Sequence, residues 1–305
     1  EELEKCVHFV AAHELRFSFP VDFIRQEGKY PQENWLETVY PGVHSDVGGG
    51  YEPNAQGKTD ELARITLLNM YANSFASGVR LRDWGEVLTD EPLSEKFEIS
   101  LETKRLYRNY KEIVGKDAQV GPIEGRVKAH MKHWYAYMGA LHRGEISTEL
   151  DRQEEEHKAA MKELEDKLAN FQKRMTWQNA YTEERKALIK EYEEHESELA
   201  EISKHREERD SWLKSIAKEA RHLSEGWSKF GSLKLSFTFP LSAAKKYSYQ
   251  VQAEKWMLEA FQEGKVDPAV AAFYDKLLHN SKTGLLWSNE PFSYFRNRGM
   301  WESKR

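Results

Sequence analysis

The sequence has a single cysteine, no long hydrophobic run and no long block of basic residues. With only Cys6, an internal disulfide and a zinc site built from cysteines are both excluded. No apolar run approaches the roughly 18 residues that a membrane-spanning helix needs. The net charge is −6, so nucleic acid is not expected as a main partner. At 305 residues the chain is long enough for one large domain or two ordinary ones.

The start of the sequence does not have the pattern of a secretory leader. The first residues, EELEKC, are acidic and include no initiator Met, which is unlike a signal peptide. We therefore expect the chain to be a piece of a longer protein, with a start that is not a natural terminus.

Residues 1–145 have the mixed pattern of an α/β segment. The run CVHFVAAHELRF fits either a short helix or a strand, and NWLETVYPG predicts a buried strand. Three helices are predicted after it: TDELARITLLNMYANSFASG, which Thr59 or Asp60 caps and Gly78 ends, then Leu101 to Ile113, then IEGRVKAHMKHWYAYMGALHRG.

Residues 146–224 change to a heptad-like pattern. Apolar residues recur at spacings of three and four on either side of a polar break, TWQNAYTEE. They are Met161, Leu164, Leu168, Phe171 and Met175 before the break, and Leu188, Tyr192, Leu199, Ile202, Leu213, Ile216 and Leu223 after it. The two runs predict an antiparallel helical hairpin with its turn between about Met175 and Glu184. His195 also falls on this seam, where it is a lone imidazole that we expect to pack rather than to do chemistry.

Residues 225–305 return to a globular composition. LKLSFTFPLS predicts a strand or an extended segment, and a helix is predicted from about Ala243 to Gln262. Asp267 and Pro268 are a capped helix start with proline at the first helical position. The helix that they begin is predicted to end at His279 and Asn280, and YFRNRGMWES predicts a final strand.

The stretch ETVYPGVHSDVGGGYEP, at 37–53, combines a strand with an acid and three glycines. In an α/β hydrolase the triad acid lies on the loop after a strand and precedes the triad histidine in the chain. Asp46 has that position, and the glycines at 48–50 would let the chain turn away from the site. The matching imidazole should come much later, and His279 fits. The competing histidines are His8, His13, His44, His130, His133 and His142.

Simpler explanations exist for the same residues. Asp followed by three glycines is also an ordinary turn. The glycines lack the Gly-Lys-Ser/Thr of a P-loop and the Gly-x-Gly-x-x-Gly of a dinucleotide site, so no cofactor is predicted. His130 and His133 lie one helical turn apart, where a packed aromatic face is favoured over a metal pair, and no metal site is predicted.

The motifs CVHFVAAHELRFSFP, VYPGVHSDVGGGY and LLHNSKTGLLW…FSYFRNRGMW resemble successive motifs of one α/β-hydrolase family. That family includes the phospholipase effectors of bacterial type VI secretion systems, in their first lipase-effector class. The resemblance implies a partial α/β-hydrolase body at 1–145 and 225–305, interrupted at 146–224 by the long antiparallel helical hairpin. It also implies that Asp46 is the triad acid and His279 the triad base.

The family's nucleophile is missing from the sequence. The serine belongs in a Gly-x-Ser-x-Gly elbow, and no such pentapeptide occurs in the 305 residues. Ser45 lies on no elbow, and Ser74 and Ser77 fall in a predicted helix. We expect the nucleophile to lie on a segment upstream, so that this chain alone is catalytically incomplete.

Two classes of function follow from these observations. The first, implied by the resemblance, is part of a serine phospholipase of the A type, an antibacterial toxin that acts on phospholipid at a membrane surface. It would be made in the bacterial cytoplasm without a signal peptide and exported by type VI secretion to the target-cell periplasm. The second is a non-catalytic interaction module whose helical arm binds a secretion-spike protein, an adaptor or an immunity protein.

Overall fold

The computed structural model describes residues 3–16, 19–173, 182–230, 255–282, 294–295 and 300–302. The chain divides into two compact units. The first unit comprises Glu1–Arg143 and Ser215–Arg305, and the second comprises Gly144–Lys214.

The strands of the first unit form two short parallel pairs. Strand β1 (Val7–Ala11) pairs with β3 (Leu36–Tyr40), with Ala11 opposite Tyr40. Strand β2 (Val21–Phe23) pairs with β4 (Met300–Glu302). The run CVHFVAAHELRF, which fitted a helix or a strand, therefore contains a strand. Parallel pairing carries the chain back to the same end of the sheet, so the segments after β1 and β3 emerge side by side.

Helices make up most of the part that the structure describes. In the first unit they are α1 (His44–Gly48), α2 (Glu61–Ala76), α3 (Trp84–Thr89), α4 (Glu91–Ser94), α5 (Leu101–Ala118), α6 (Ile123–His142), α9 (Lys255–Glu263) and α10 (Pro268–Leu277), together with short 3-10 turns at Ala55–Gly57 and Glu95–Phe97. The three helices predicted between 59 and 144 are confirmed as α2, α5 and α6. The expectation of an α/β body is met only in part, because the described residues of the first unit are mostly helical and contain only two short pairs of strands.

The caps explain several of these helix starts. Asp267 accepts a hydrogen bond from the main-chain N–H of Ala269, and Pro268 is the first residue of α10, as the sequence predicts. The Ser100 hydroxyl accepts from the N–H of Thr103 at the start of α5. Asp60, in contrast, begins α2 without a side-chain cap bond.

The core of the first unit is aromatic and lies along α6. Trp134, Tyr135 and Tyr137 of this helix are all buried. Tyr135 stacks on Phe295, with the ring centroids 5.3 Å apart. Helix α6 also packs closely against α9, because Gly139 leaves room for the main-chain carbonyl of Phe261.

The second unit is built from α7 (Glu149–Lys173) and the first part of α8 (Glu183–Phe230). The hydrogen bonds between the two helices pair later residues of α8 with earlier residues of α7: Tyr192 bonds Glu165, His195 bonds His157 and Arg206 bonds Glu154. The expected turn falls on 174–181, outside the described residues, so the hairpin itself stays a prediction. The description of His195 as a lone imidazole is wrong, since His157 on the facing helix is its partner.

Two other expectations concern the C-terminal third of the chain. The predicted strand LKLSFTFPLS and the first half of the helix expected from Ala243 lie outside the described residues. The second half of that helix is present as α9, and the predicted final strand contains β4. None of the helices that the structure describes is long and apolar enough to cross a membrane.

Candidate active site

Asp46 lies immediately after the sheet, but in a helix rather than on the predicted loop. Strand β3 ends at Tyr40, and after Pro41 and Gly42 the chain enters the short helix α1. Asp46 is the third residue of this helix, and its Oδ2 accepts a hydrogen bond from the N–H of Val43, 3.0 Å away. An acid at this position satisfies one of the unpaired N–H groups of a helix start. Asp46 is therefore held by its own helix and is only 2% exposed.

Gly42 is required for this local turn. Its φ is +137°, a conformation that side chains rarely adopt, and a Cβ there would come within 2.7 Å of the Asp46 Cβ. The glycine before α1 thus allows the main chain to pass tightly beside the acid.

The structure brings His279 against Asp46, although 233 positions separate them in the chain. Helix α10 ends at Leu277, and Leu278 is extended, which turns the next residue into the first unit's interior. His279 Nδ1 lies 2.6 Å from Asp46 Oδ1, and the His279 main-chain N–H donates to Asp46 Oδ2 at 3.2 Å. The carboxylate therefore fixes both the ring and the backbone of the histidine.

The opposite nitrogen of His279, Nε2, is chemically suited to proton transfer. With Nδ1–H donating to the carboxylate, the neutral ring carries its lone pair on Nε2. This atom is buried and has no hydrogen-bond partner among the described residues. Buried polar atoms nearly always have a partner, so an unpartnered Nε2 indicates a position for a hydroxyl or a substrate group. An imidazole oriented in this way can act as a general base.

Tyr51 covers one face of the His279 ring. The two rings are stacked, with centroids 3.9 Å apart and planes 13° apart. Gly50, whose φ is +127°, turns the chain, and Tyr51 directly after it lies against His279. Burial, followed by the charge of Asp46, raises the pKa of the Tyr51 hydroxyl, which therefore stays protonated.

A buried carboxylate, Glu14, ties together the two segments that carry the site. Its oxygens accept hydrogen bonds from the side chain of Arg16, from the main-chain N–H of His44 beside Asp46, and from the hydroxyl of Ser281 beyond His279. Burial opposes its ionisation, but the hydrogen bonds and charge of Arg16 outweigh burial and lower the pKa of Glu14. Glu14 thus remains charged and links the 44–46 and 279–281 segments.

Gln56 holds the same histidine segment from the other side. Its side-chain amide donates to the carbonyl of Asn280 at 3.0 Å and accepts from the N–H of Asn280 at 2.9 Å. Nearby, Lys58 donates to the carbonyls of Tyr274 and Asp275 at the end of α10. Together these two residues secure the last turn of α10 and the residue after His279.

Four of the competing histidines lie in other environments. His8 Nδ1 is 2.8 Å from Glu37 Oε1, which makes a second carboxylate–imidazole pair on β1 and β3. His142 is exposed and stacks on Phe261. His44 is in α1, with its ring 5.0 Å from that of Phe19, and His133 is half-buried on α6, next to the buried Trp134.

His13 and His130 belong to a fully buried polar network. His13 Nδ1 accepts from the N–H of Gly42, its Nε2 lies 3.3 Å from the Tyr274 hydroxyl, and Tyr110 bridges Tyr274 to His130. Burial, and then the charge of His133, lowers the pKa of His130 to about 3, and burial likewise lowers the pKa of His13. Both imidazoles are neutral, and His130 is part of a packed aromatic face.

Sequence reasoning singled out Asp46 and His279 but missed the residues that support them. Tyr51 could have been found, because it ends the GVHSDVGGGY run. Glu14 lies in an apolar stretch where a charged residue is unusual, which is a weaker signal. Gln56 has no sequence signal, since only the fold brings it to Asn280.

The comparisons with known proteins agree with part of the family resemblance. Residues 1–73 match a family model described as T6SS, Phospholipase effector Tle1-like, catalytic domain. This match includes Asp46 and the glycine run but not His279. No curated protein and no solved structure matches the chain. The first 73 residues are therefore similar to the catalytic domain of phospholipase effectors of type VI secretion systems.

Proposed function

We propose that the first unit carries the acid and the base of a serine phospholipase of the A type. The observation that carries this proposal is the buried Asp46–His279 pair, with 2.6 Å between Oδ1 and Nδ1 and an unpartnered Nε2. The match of residues 1–73 to the catalytic domain of phospholipase effectors supports phospholipid as the substrate.

In this proposal each residue has a defined role. His279 Nε2 takes the proton from a serine hydroxyl as the serine attacks the ester carbonyl, and later gives that proton to the departing lysophospholipid or alcohol. Asp46 keeps Nδ1–H oriented and stabilises the imidazolium while remaining ionised. Tyr51, stacked on the ring, restricts rotation of the imidazole.

The nucleophile in this proposal comes from outside the 305 residues, because no Gly-x-Ser-x-Gly elbow occurs within them. The chain alone is therefore expected to be inactive. Export by type VI secretion into a target cell's periplasm, and binding to a spike protein, an adaptor or an immunity protein, are proposed from the same family similarity.

The test compares the protein encoded by the complete reading frame with its variants on phospholipid vesicles. Asp46→Asn and His279→Ala should each lower kcat by about 10³-fold or more, because a triad member acts as part of a unit. Circular dichroism should show unchanged helix content in both variants. The 305-residue chain on its own should release no fatty acid.

His8→Ala is the matched control, because it removes an imidazole that is also paired with a carboxylate. This variant should keep the wild-type rate. Loss of activity in His8→Ala with retention in His279→Ala would contradict the assignment. A complete protein that hydrolyses no phospholipid would contradict the proposed function and favour the interaction module.

A further inference from the structure

We propose that the second unit binds one divalent transition-metal ion, of the zinc, cobalt or nickel class, between α7 and α8. The ligands are His157 on α7 and His195 and Glu198 on α8. One ligand atom from each of the three lies within 4.8 Å of the other two. His157 Nδ1 and His195 Nδ1 are 2.8 Å apart, and His157 Nε2 and Glu198 Oε2 are 3.3 Å apart.

The spacing of the ligands suits a metal site between two helices. His195 and Glu198 are three positions apart, so they share one face of α8, and the facing helix supplies the third ligand. Helical bundles commonly hold metals in this way, with a carboxylate and a histidine one turn apart on the same helix. Two imidazoles and one carboxylate also form a donor set that zinc accepts while keeping a position for water.

The distance between the imidazole nitrogens is compatible with shared coordination. Ligand bonds of about 2.0–2.1 Å to each nitrogen would place a metal between atoms 2.8 Å apart at an angle near 90°. Moving the two nitrogens apart by roughly 0.5 Å would give the tetrahedral angle that zinc prefers. Rotation of the His157 side chain, which is 19% exposed, would give such a shift. Glu198 lies against Nε2 of His157, on the far side of the ring from Nδ1, so the Glu198 side chain must also rotate to reach a metal held between the two Nδ1 atoms.

Hydrogen bonds between α7 and α8 on both sides of the cluster hold the two helices in register. On one side, Arg206 bonds Glu154, and Arg209 bonds Asp151 at 3.0 Å. On the other side, the Tyr192 hydroxyl donates to Glu165 at 3.0 Å. Because these cross-helix bonds hold the ligand-bearing turns opposite each other, a metal would meet ligands that are already close together.

Charge and access also favour a cation at this place. Residues 144–214 contain 20 acidic and 13 basic side chains, so the segment attracts positive ions. The Glu198 side chain is 64% exposed, which leaves the cluster open to solvent on one side. The alternative is a chain of hydrogen bonds in which His195 donates to His157 and His157 donates to Glu198. For a metal to bind both Nδ1 atoms, the proton of neutral His195 must move from Nδ1 to Nε2, so that each imidazole binds through its lone pair.

The experiment uses the full chain without a polyhistidine tag, titrated with Zn²⁺ or Ni²⁺ in a calorimeter and with Co²⁺ in an absorption spectrometer. We expect one high-affinity site per chain, visible ligand-field bands with Co²⁺, and a higher melting temperature with metal bound. His195→Leu should weaken binding at least about tenfold, since it removes one ligand, and should still fold because leucine suits the apolar seam. Glu198→Gln should weaken binding in the same direction.

His205→Ala is the matched control, because His205 lies on α8 outside the cluster and its Nδ1 has no partner among the described residues. Its metal affinity should equal that of the wild-type chain. No saturable binding up to millimolar metal would overturn the proposal in favour of the hydrogen-bonded pair. Binding that survives in His195→Leu but is lost in His205→Ala would overturn it in favour of another site.

Discussion

Asp46 and His279 show how few atoms define the candidate site. The carboxylate of Asp46 receives three hydrogen bonds, from the Val43 main chain and from the main chain and ring of His279. A carboxylate that is saturated in this way cannot rotate, so the imidazole is fixed as well. The residues one step removed, Glu14 and Gln56, act on the backbone that carries His279 rather than on its ring.

Gln56→Ala should therefore reduce catalysis without unfolding the protein. The variant loses both bonds to the Asn280 main chain, so the His279 segment loosens, and misplacement of a catalytic group costs up to about 100-fold in rate. In the complete protein we expect kcat on phospholipid vesicles to fall by about 10–100-fold with little change in KM.

Gln56→Glu tests the donor half of this interaction alone, because a carboxylate cannot donate to the Asn280 carbonyl. Asn54→Gly is the matched control: like Gln56, whose φ is +57°, Asn54 has a positive φ, +65°, but it makes no side-chain cap bond. Asn54→Gly should keep the wild-type kcat. An unchanged kcat in Gln56→Ala would rule out a positioning role.

At the scale of elements, the contact between α6 and α9 depends on one buried glycine. A Cβ at Gly139 would lie 1.8 Å from the carbonyl oxygen of Phe261. The same carbonyl accepts a hydrogen bond from Arg143, which also bonds the carbonyls of Gln262 and Gly264 at the end of α9. Close approach of the helices and capping of α9 therefore depend on the same few atoms.

Gly139→Ala should destabilise the chain by about 1–3 kcal/mol, because the extra methyl group forces the helices apart. Gly125→Ala in the same helix should instead be neutral or stabilising by up to about 1 kcal/mol, since a Cβ there meets only Pro122 atoms at 3.9 Å. Urea unfolding of the two variants measures both effects. Equal effects of the two substitutions would contradict the helix contact described here.

At the scale of the whole molecule, the two units should respond to acid in different pH ranges. In the first unit, burial lowers the pKa of His130 from 6.5 to about 3 in the folded state. In the second unit, burial raises the pKa of Asp151, but hydrogen bonds from Arg209 and Thr148 outweigh it and lower the pKa to about 2 from 3.8. Both groups bind protons more readily when unfolded, so both favour unfolding as the pH falls.

Stability of the first unit should therefore decline as the pH drops from about 6.5 toward 3, with a slope of at most about 1.4 kcal/mol per pH unit for each such histidine. His130→Gln should make this slope shallower, while His142→Gln, at an exposed position of the same helix, should not change it. The contribution of Asp151 should be lost only between about 3.8 and 2. Urea unfolding from pH 7 to 2, followed by near-UV circular dichroism for the aromatic core, measures both effects.

The sequence by itself determined the elements whose signals are local. Periodicity and caps predicted α2, α5, α6 and α10, because apolar spacing and residues such as Asp267 act within one or two turns. The strand before Pro41 and the acid at Asp46 were also evident from neighbouring residues. The order of acid and histidine along the chain made His279 one candidate partner of Asp46 among several histidines, and the family resemblance favoured it, which is not a local signal.

Tertiary structure decided everything that depends on residues distant in the chain. Parallel pairing of β1 with β3 resolved the ambiguous CVHFVAAHELRF run as a strand, since hydrogen bonds to another segment settle what local propensity leaves open. The same long-range packing brought Gln56 to Asn280 and Glu14 to Ser281. It also placed His157 opposite His195, which no spacing within either helix could show, because two side chains on separate helices meet only when the helices pack.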